Sequence, residues 1–263
     1  MHHFNLPKLE GKLPTDNNII YFSCNKDYYH RFGYALIKSI IESIDFVSVH
    51  CHLILKPEDI GNITLLENTK KVSYTYEIID NTFLKSIPVN LNRISEGQEI
   101  WKTSSIIDVI EKTYYASARF MRIAELFNDT QHVLQLDCDT VLRNKFPLKE
   151  FKSMTSDVRV MPKPKDPNVI IASAISLGTG DNGRKFKSLF SSSLINAFKN
   201  GAYWYVDQDV LKEVVNIVEW KTLPFRWNSW GIKSYDYFVT GKGDRKEKDK
   251  FKLVQEKWLP QDL

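Results

Sequence analysis

The sequence is short of cysteine. Only Cys24, Cys51 and Cys138 occur among 263 residues, and no two stand at a paired spacing. That argues against a disulfide framework and for free thiols in a reducing compartment. Long hydrophobic runs are missing as well. No stretch approaches the roughly 18 apolar residues of a membrane span. Residues 1–15 are polar and carry no apolar segment of the secretory-signal kind. These absences predict a cytoplasmic protein with no transmembrane segment. An excess of one charge sign is also lacking: 36 Lys and Arg against 32 Asp and Glu leave a net charge of +4. Nucleic-acid binding needs a stronger basic stripe, so no nucleic-acid partner is expected. Internal repeats and low-complexity linkers are absent.

What is present is core-forming material, 43% hydrophobic residues, arranged in alternating strand-like and helix-like segments. An apolar strand spans 18–24, a polar turn follows at 25–29, and a helix over 33–43 has Leu36, Ile37, Ile40, Ile41 and Ile44 at helical spacing. A second strand covers 47–55, a short helix 57–68, and a third strand 73–79. Residues 80–102 read as loop. One long helix spans 104–127, with a weak point near Thr113. A strong strand covers 132–142, and 168–177 is a further apolar run. Helices are expected over 184–199 and 207–218. Such β-α-β alternation predicts an α/β fold with a mainly parallel mixed central sheet and helices on both faces, its first half Rossmann-like.

Two carboxylates stand out. Asp137 and Asp139 flank Cys138 after the apolar run Val133-Leu134-Gln135-Leu136, and Val141-Leu142 continue beyond them. In a strand, residues i and i+2 share a face, so both carboxylates can meet at one point. Two unpaired acids amid apolar residues cost several kcal/mol unless a cation offsets them, so burial calls for a partner. Hard oxygen ligands of this kind suit Mn²⁺ or Mg²⁺, whose shell is completed by water and substrate phosphates.

Other motifs carry less. Gly178-Thr-Gly180-Asp-Asn-Gly183 spells a dinucleotide fingerprint, but it lies late in the chain. It reads as a turn with Asp181 or Asn182 capping the next helix. His50-Cys51-His52 places two imidazoles on one strand face without further zinc ligands at compatible spacing, so its role is structural. Tyr203-Trp204-Tyr205 and Trp227-Asn228-Ser229-Trp230 are core candidates. Tyr203-Trp204-Tyr205, close to Asp207, is also a candidate stacking platform.

The stretch Tyr115-Ala-Ser-Ala-Arg119-Phe-Met-Arg122-Ile-Ala-Glu-Leu, a gap, and then Val133-Leu-Gln-Leu-Asp137-Cys-Asp139 resembles glycosyltransferase family 8. That is the glycogenin and lipopolysaccharide galactosyltransferase group, of the GT-A fold. Asn25-Lys26-Asp27-Tyr28-Tyr29 is similar to that family's uridine-contacting loop, and Asp207-Gln208-Asp209 to its Asp-Gln-Asp motif. The resemblance implies a glycosyltransferase moving a sugar from a nucleotide-sugar donor, a UDP-sugar, to a saccharide or other hydroxyl acceptor. Asp137 and Asp139 would hold Mn²⁺ or Mg²⁺ on the donor diphosphate. Asp27 and Tyr28 would lie near base and ribose, and Arg119 near the diphosphate or sugar. Asp207 and Gln208 would touch the transferred sugar, with Asp209 beside them. For an inverting reaction Asp207, Asp209 or Asp236 could serve as base. Lys242, Arg245 or Lys246, in the basic tail, could close over the phosphates.

The family pattern His-x-x-Gly-x-x-Lys, whose His is a third metal ligand, is not met in full. No His follows His132, and the nearest match is Thr240-Gly241-Lys242-Gly243, with Asp244 as a substitute oxygen ligand. One domain is expected: an extension at 1–17, a nucleotide-sugar half at 18–142, an acceptor half at 143–240 and a basic tail at 241–263. Two other readings compete. One is a metal-dependent nucleotidyltransferase or phosphohydrolase built on the same aspartates. The other is a nucleotide-sugar-binding module without catalysis.

Overall fold

The computed structural model describes residues 4–66, 70–95, 105–163, 166–241 and 243–259. Strands β1 (Glu10–Gly11), β2 (Asn18–Asn25), β3 (Ser48–Leu55), β4 (Val72–Ile78), β5 (His132–Leu136), β7 (Arg159–Lys163), β8 (Asp166–Leu177) and β9 (Lys221–Thr222) form one sheet in the order β1-β4-β3-β2-β5-β8-β7-β9. The run β4-β3-β2-β5 is parallel, whereas β1, β8 and β7 join antiparallel to β4, β5 and β8. β6 (Thr140–Leu142) and β10 (Phe238–Thr240) make a separate antiparallel pair.

The predicted mixed α/β sheet is what forms. β2 shows why, since its residues alternate between two cores. Ile19 and Tyr21 belong to one apolar cluster, Ile20 and Phe22 to the other. A strand buried on both faces reads as a continuous apolar run, as 18–24 does. The helix Ile106–Met121 covers the first face with the helices Gly180–Gly201 and Val206–Val215. The helix Tyr34–Ile41 and the small sheet cover the second. No helix among the described residues is long and apolar enough to cross a membrane.

Several boundaries differ from expectation. The helix expected over 57–68 is only a 3-10 turn, Pro57–Asp59, and residues 62–66 have no regular structure. Its Pro start is right and Ile60, Ile63 and Leu66 keep helical spacing, but Gly61, at φ 80°, turns the chain out of the helix. Part of the expected 80–102 loop is helical, Asn81–Ser86 and Leu91–Ser95, the first capped by the Asp80 carboxylate on Phe83 N at 2.7 Å. The long helix runs unbroken through Thr113, whose hydroxyl bonds back to Val109 O at 2.7 Å, and it breaks at Arg122. Its start is fixed by a reciprocal cap: Ser105 Oγ accepts from Asp108 N, and Asp108 Oδ2 accepts from Ser105 N. The expected 132–142 strand is two strands in different sheets, with the aspartate pair at the turn between them. Residues before Asn18 are part of the body: β1 pairs with β4, and Phe4 is buried.

Candidate functional site

β5 ends where Asp137 N donates to Ser173 O at 2.9 Å. The chain then turns through Cys138 and Asp139 and enters β6. Cys138 joins the apolar cluster below, while both neighbouring carboxylates face a cleft of about 850 Å³. The expected convergence of Asp137 and Asp139 therefore occurs, in a turn rather than within a strand. The cleft opens beyond the carboxyl ends of β2 and β5, the place where parallel sheets leave room for ligands.

Three elements bring charge to it. Arg119, from the helix Ile106–Met121, forms a short ion pair with Asp137. Asp207, in the first turn of the helix Val206–Val215, is buried in the wall of the same cleft, near enough for its charge to act on Arg119. Burial works against the Arg119 charge, but Asp137 and Asp207 outweigh it and raise its pKa. Burial also raises the Asp207 pKa; Arg119 opposes this, and Asp137 adds to it. Asp139 is pushed up to about 6, first by burial and then by the charge of Asp137.

The third element is the C-terminal segment. Gly241 N donates to Asp139 O at 2.7 Å, and Thr240 Oγ1 lies 3.3 Å from Asp139 Oδ1. Lys246 Nζ stands 4.0 Å from Asp139 Oδ2 and donates to the Tyr28 hydroxyl at 2.8 Å. A Cβ on Gly241 would meet Lys246 Cβ at 2.6 Å and Cα at 2.9 Å, so only glycine lets the chain fold this close.

The remaining predicted residues divide. Tyr28 lines the cleft, while Asp27 is exposed and lies outside its wall. Gln208 lines the cleft too, but its carboxamide sits on β8. In the orientation that satisfies both ends, its nitrogen donates to Ile170 O at 3.2 Å and its oxygen accepts from Ala172 N at 3.2 Å. Asp209 turns away, accepting from Tyr203 Oη and Arg93 Nη2, each at 2.9 Å. Asp236 is buried and accepts from Lys233 N at 2.5 Å, away from the cleft. Arg245 lies 5.8 Å from the Trp230 ring and Asp244 is exposed; neither lines the cleft. Lys242 lies outside the described residues.

Of the two described basic residues considered for the phosphates, Arg245 and Lys246, it is Lys246 that stands at the aspartates. Its spacing was readable: Thr240-x-x-Gly243-x-x-Lys246 has the frame of His-x-x-Gly-x-x-Lys with threonine at the histidine position. Glu111, which lines the cleft, carried no comparable signal, whereas Asn25 and Tyr115, which line it too, open two of the stretches that carry the family resemblance. Tyr115 Oη bonds Glu111 at 2.7 Å, and Glu111 pairs with Lys56 at 2.8 Å. The glycine-rich turn Gly178–Gly183 is far from all this. β8 runs antiparallel, so Leu177 pairs with Val133 at the opposite end of β5. Two of its glycines serve packing, since a Cβ on Gly183 would sit 1.8 Å from Gly178 O and one on Gly178 2.5 Å from Asp157 O, while Gly180 supplies a φ of +83°. Neither Asp181 nor Asn182 is the cap, which is Thr179, and Asn182 instead donates to Glu219 O at 2.5 Å. His50 is structural as expected, bonded through both ring nitrogens to Ser73 and Thr75.

The donor set bears on the expected metal. Among the described residues no group of three His, Cys, Asp or Glu could hold an ion. Two carboxylates remain, and these fit a cation that completes its shell with phosphate and water. The raised pKa of Asp139 has the same meaning: Lys246 and Arg119 together leave its negative charge under-compensated.

The structure resembles solved glycosyltransferases. It aligns with the galactosyltransferase LgtC, solved with donor and acceptor sugar analogues, at TM-score 0.54 and 14% identity, over 93% of this chain and 98% of that one. The chain has the GT-A fold. It also aligns with WbbM, a bifunctional glycosyltransferase in its apo form, at TM-score 0.52 and 16% identity. That match covers 87% of this chain, which spans 46% of the length of WbbM. No known family model and no curated protein sequence matches the chain. Within the GT-A fold, the cleft bounded by Tyr28, Arg119, Asp137, Asp139 and Asp207 is the candidate site.

Proposed function

We propose that this chain is a glycosyltransferase that takes a sugar from a nucleotide-sugar donor, a UDP-sugar, with Mn²⁺ or Mg²⁺ bound at Asp137 and Asp139. The observation that carries this is the Arg119–Asp137 ion pair, with Lys246 4.0 Å from Asp139 and Asp207 in the wall of the same cleft. Two fixed cations beside the Asp137–Asp139 pair at an open space suit a diphosphate that gains negative charge as its bond to sugar breaks. A bound divalent ion would supply Lewis-acid stabilisation of that leaving group.

The chain's own groups do the rest. Lys246 and Arg119 donate to diphosphate oxygens. Tyr28 and Asn25 bound the end of the cleft at β2, where the nucleoside would lie. Asp207, protected from solvent, accepts from a sugar hydroxyl or from the acceptor hydroxyl. Trp204 and Tyr205 also line the cleft, and Tyr205 is 53% exposed, offering ring surface to a saccharide acceptor. The rival phosphohydrolase reading needs carboxylates for a second metal, and among the described residues no third acid or His is placed to share an ion with this pair, although Asp207 lines the same cleft.

The test is a thermal-shift and calorimetric screen of UDP-, GDP- and ADP-sugars with and without Mn²⁺, followed by product analysis. Release of free or transferred sugar with nucleoside diphosphate supports the reading. Release of pyrophosphate, or no nucleotide binding at all, overturns it.

A further inference from the structure

Glu77, on β4, is a fully buried carboxylate outside the cleft. It accepts from Tyr114 Oη at 2.6 Å and from Arg122 Nε at 2.8 Å, and Arg122 Nη2 reaches it as well. His52 Nε2 lies 3.7 Å away. Arg122, only 3% exposed, also bonds Glu125 and the backbone oxygen of Pro7. Tyr114 and Arg122 lie on either side of Arg119 in sequence, and Arg122 is where the helix Ile106–Met121 ends.

We infer that Glu77 is a positioning residue for the cleft: by holding Tyr114 and Arg122 together it fixes the rotation and axial place of this helix, and so sets Arg119 against Asp137. Buried ion pairs contribute little net stability, because desolvation offsets their attraction, whereas well-packed apolar residues do as well or better. What a fully bonded buried network does supply is a single arrangement. Two attachments to one carboxylate suppress both roll and slide of a helix. A third, Tyr21 Oη to Arg119 O at 3.1 Å, holds the backbone at the reacting residue itself. Arg119 needs this restraint, since its guanidinium pairs with Asp137 at the wall of the cleft.

The importance of Arg119 for ligand rests on the proposed function; its placement by Glu77 does not. The full-length chain is therefore tested in two ways, with Glu77→Gln, Arg119→Met and the double variant. The first measurement is the ¹⁵Nε–¹H arginine spectrum, with Arg119 assigned by its loss in Arg119→Met. Glu77→Gln is expected to move or broaden that resonance while the circular dichroism spectrum stays unchanged. An unmoved resonance overturns the inference, whether or not any nucleotide binds. The second is calorimetry of UDP with Mn²⁺. Glu77→Gln is expected to weaken UDP by about fivefold, an effect that disappears when Arg119 is already Met. Additive losses overturn the inference, because Glu77 would then act other than through Arg119. If Glu77→Gln does not fold, Tyr114→Phe removes one of the two attachments, and the same two readouts apply. Failure of wild type to bind UDP would count against the functional reading alone, and the spectrum would still decide.

Discussion

Arg119 donates from Nη1 to Asp137 Oδ1, so one member of the aspartate pair already has a fixed counter-ion from the protein. A divalent cation at this site must share Asp137 with a guanidinium or displace it. The diphosphate eases that competition, because Arg119 can transfer to phosphate oxygens while the metal takes the carboxylates. Metal and nucleotide binding are therefore expected to be cooperative. In calorimetry Mn²⁺ alone should bind weakly, and saturating UDP should tighten it by at least about tenfold. Asp137→Asn and Asp139→Asn should each weaken UDP in Mn²⁺ by about tenfold or more, with the fold intact. Equal Mn²⁺ affinity with and without nucleotide would contradict this.

Asp139 gives a stability prediction with a definite sign. Its pKa in the fold, about 6, lies above the ordinary 3.8. The fold thus favours the protonated form, and stability falls as pH rises from the unfolded value through about 6. Asp139→Asn mimics the neutral carboxyl. At pH 7.5 without divalent ions it should be more stable than wild type, by on the order of 3 kcal/mol. The difference should vanish near pH 3.5 in denaturant titrations, and wild type alone should gain from added Mn²⁺ with UDP.

His50 and His132 act in the opposite direction. Burial lowers the first to about 3, with a smaller push from His52, and the second to about 4, with one from Arg159. Both stay neutral in the fold while the unfolded chain protonates near 6.5. Their contribution is complete above that pH and is lost as pH falls towards the folded values. Unfolding free energy should decline from pH 6.5 to 4.5, at up to about 1.4 kcal/mol per pH unit for each group. His50→Gln should make the decline shallower.

Lys246 and Gly241 form a further test. Lys246→Ala should weaken UDP about tenfold by removing a charged donor at the diphosphate. Gly241→Ala should weaken it as well without touching any charge, because the new Cβ displaces Lys246. A Gly241→Ala variant with wild-type UDP affinity would show that Lys246 is not needed where it stands.

Asp207→Asn should cut donor turnover by about 100-fold or more, with nucleotide affinity changed less. Gln208→Ala should also lose turnover, and the structure adds a second cost. Ile170 O and Ala172 N lose their partner, so stability should drop by about 1–3 kcal/mol. Weakened UDP binding with unchanged turnover in Asp207→Asn would contradict the assigned role.

The local signals in the chain were strong where periodicity decides structure. The apolar runs of β2, β3 and β5 and the stripe of the helix Ile106–Met121 set the sheet and one of its faces, because burial on two sides or on one stripe leaves a mark in sequence. The turn at Asp137–Asp139 was legible as chemistry before it was correct as geometry: two acids amid apolar residues need a cation wherever the strand ends. The 57–68 segment failed because a proline start says where a helix could begin and nothing about whether packing will continue it.

Residue chemistry and spacing thus determined the α/β class and the aspartate pair, while the family resemblance supplied the candidacy of Arg119 and Asp207. Tertiary structure alone decided which charges meet. Lys246 reaches Asp139 across more than a hundred residues because β10 pairs with β6, and Asp209 leaves the cleft because the first helical turn points neighbours in different directions. Contacts of that kind depend on how distant elements dock, and local sequence periodicity carries no term for docking.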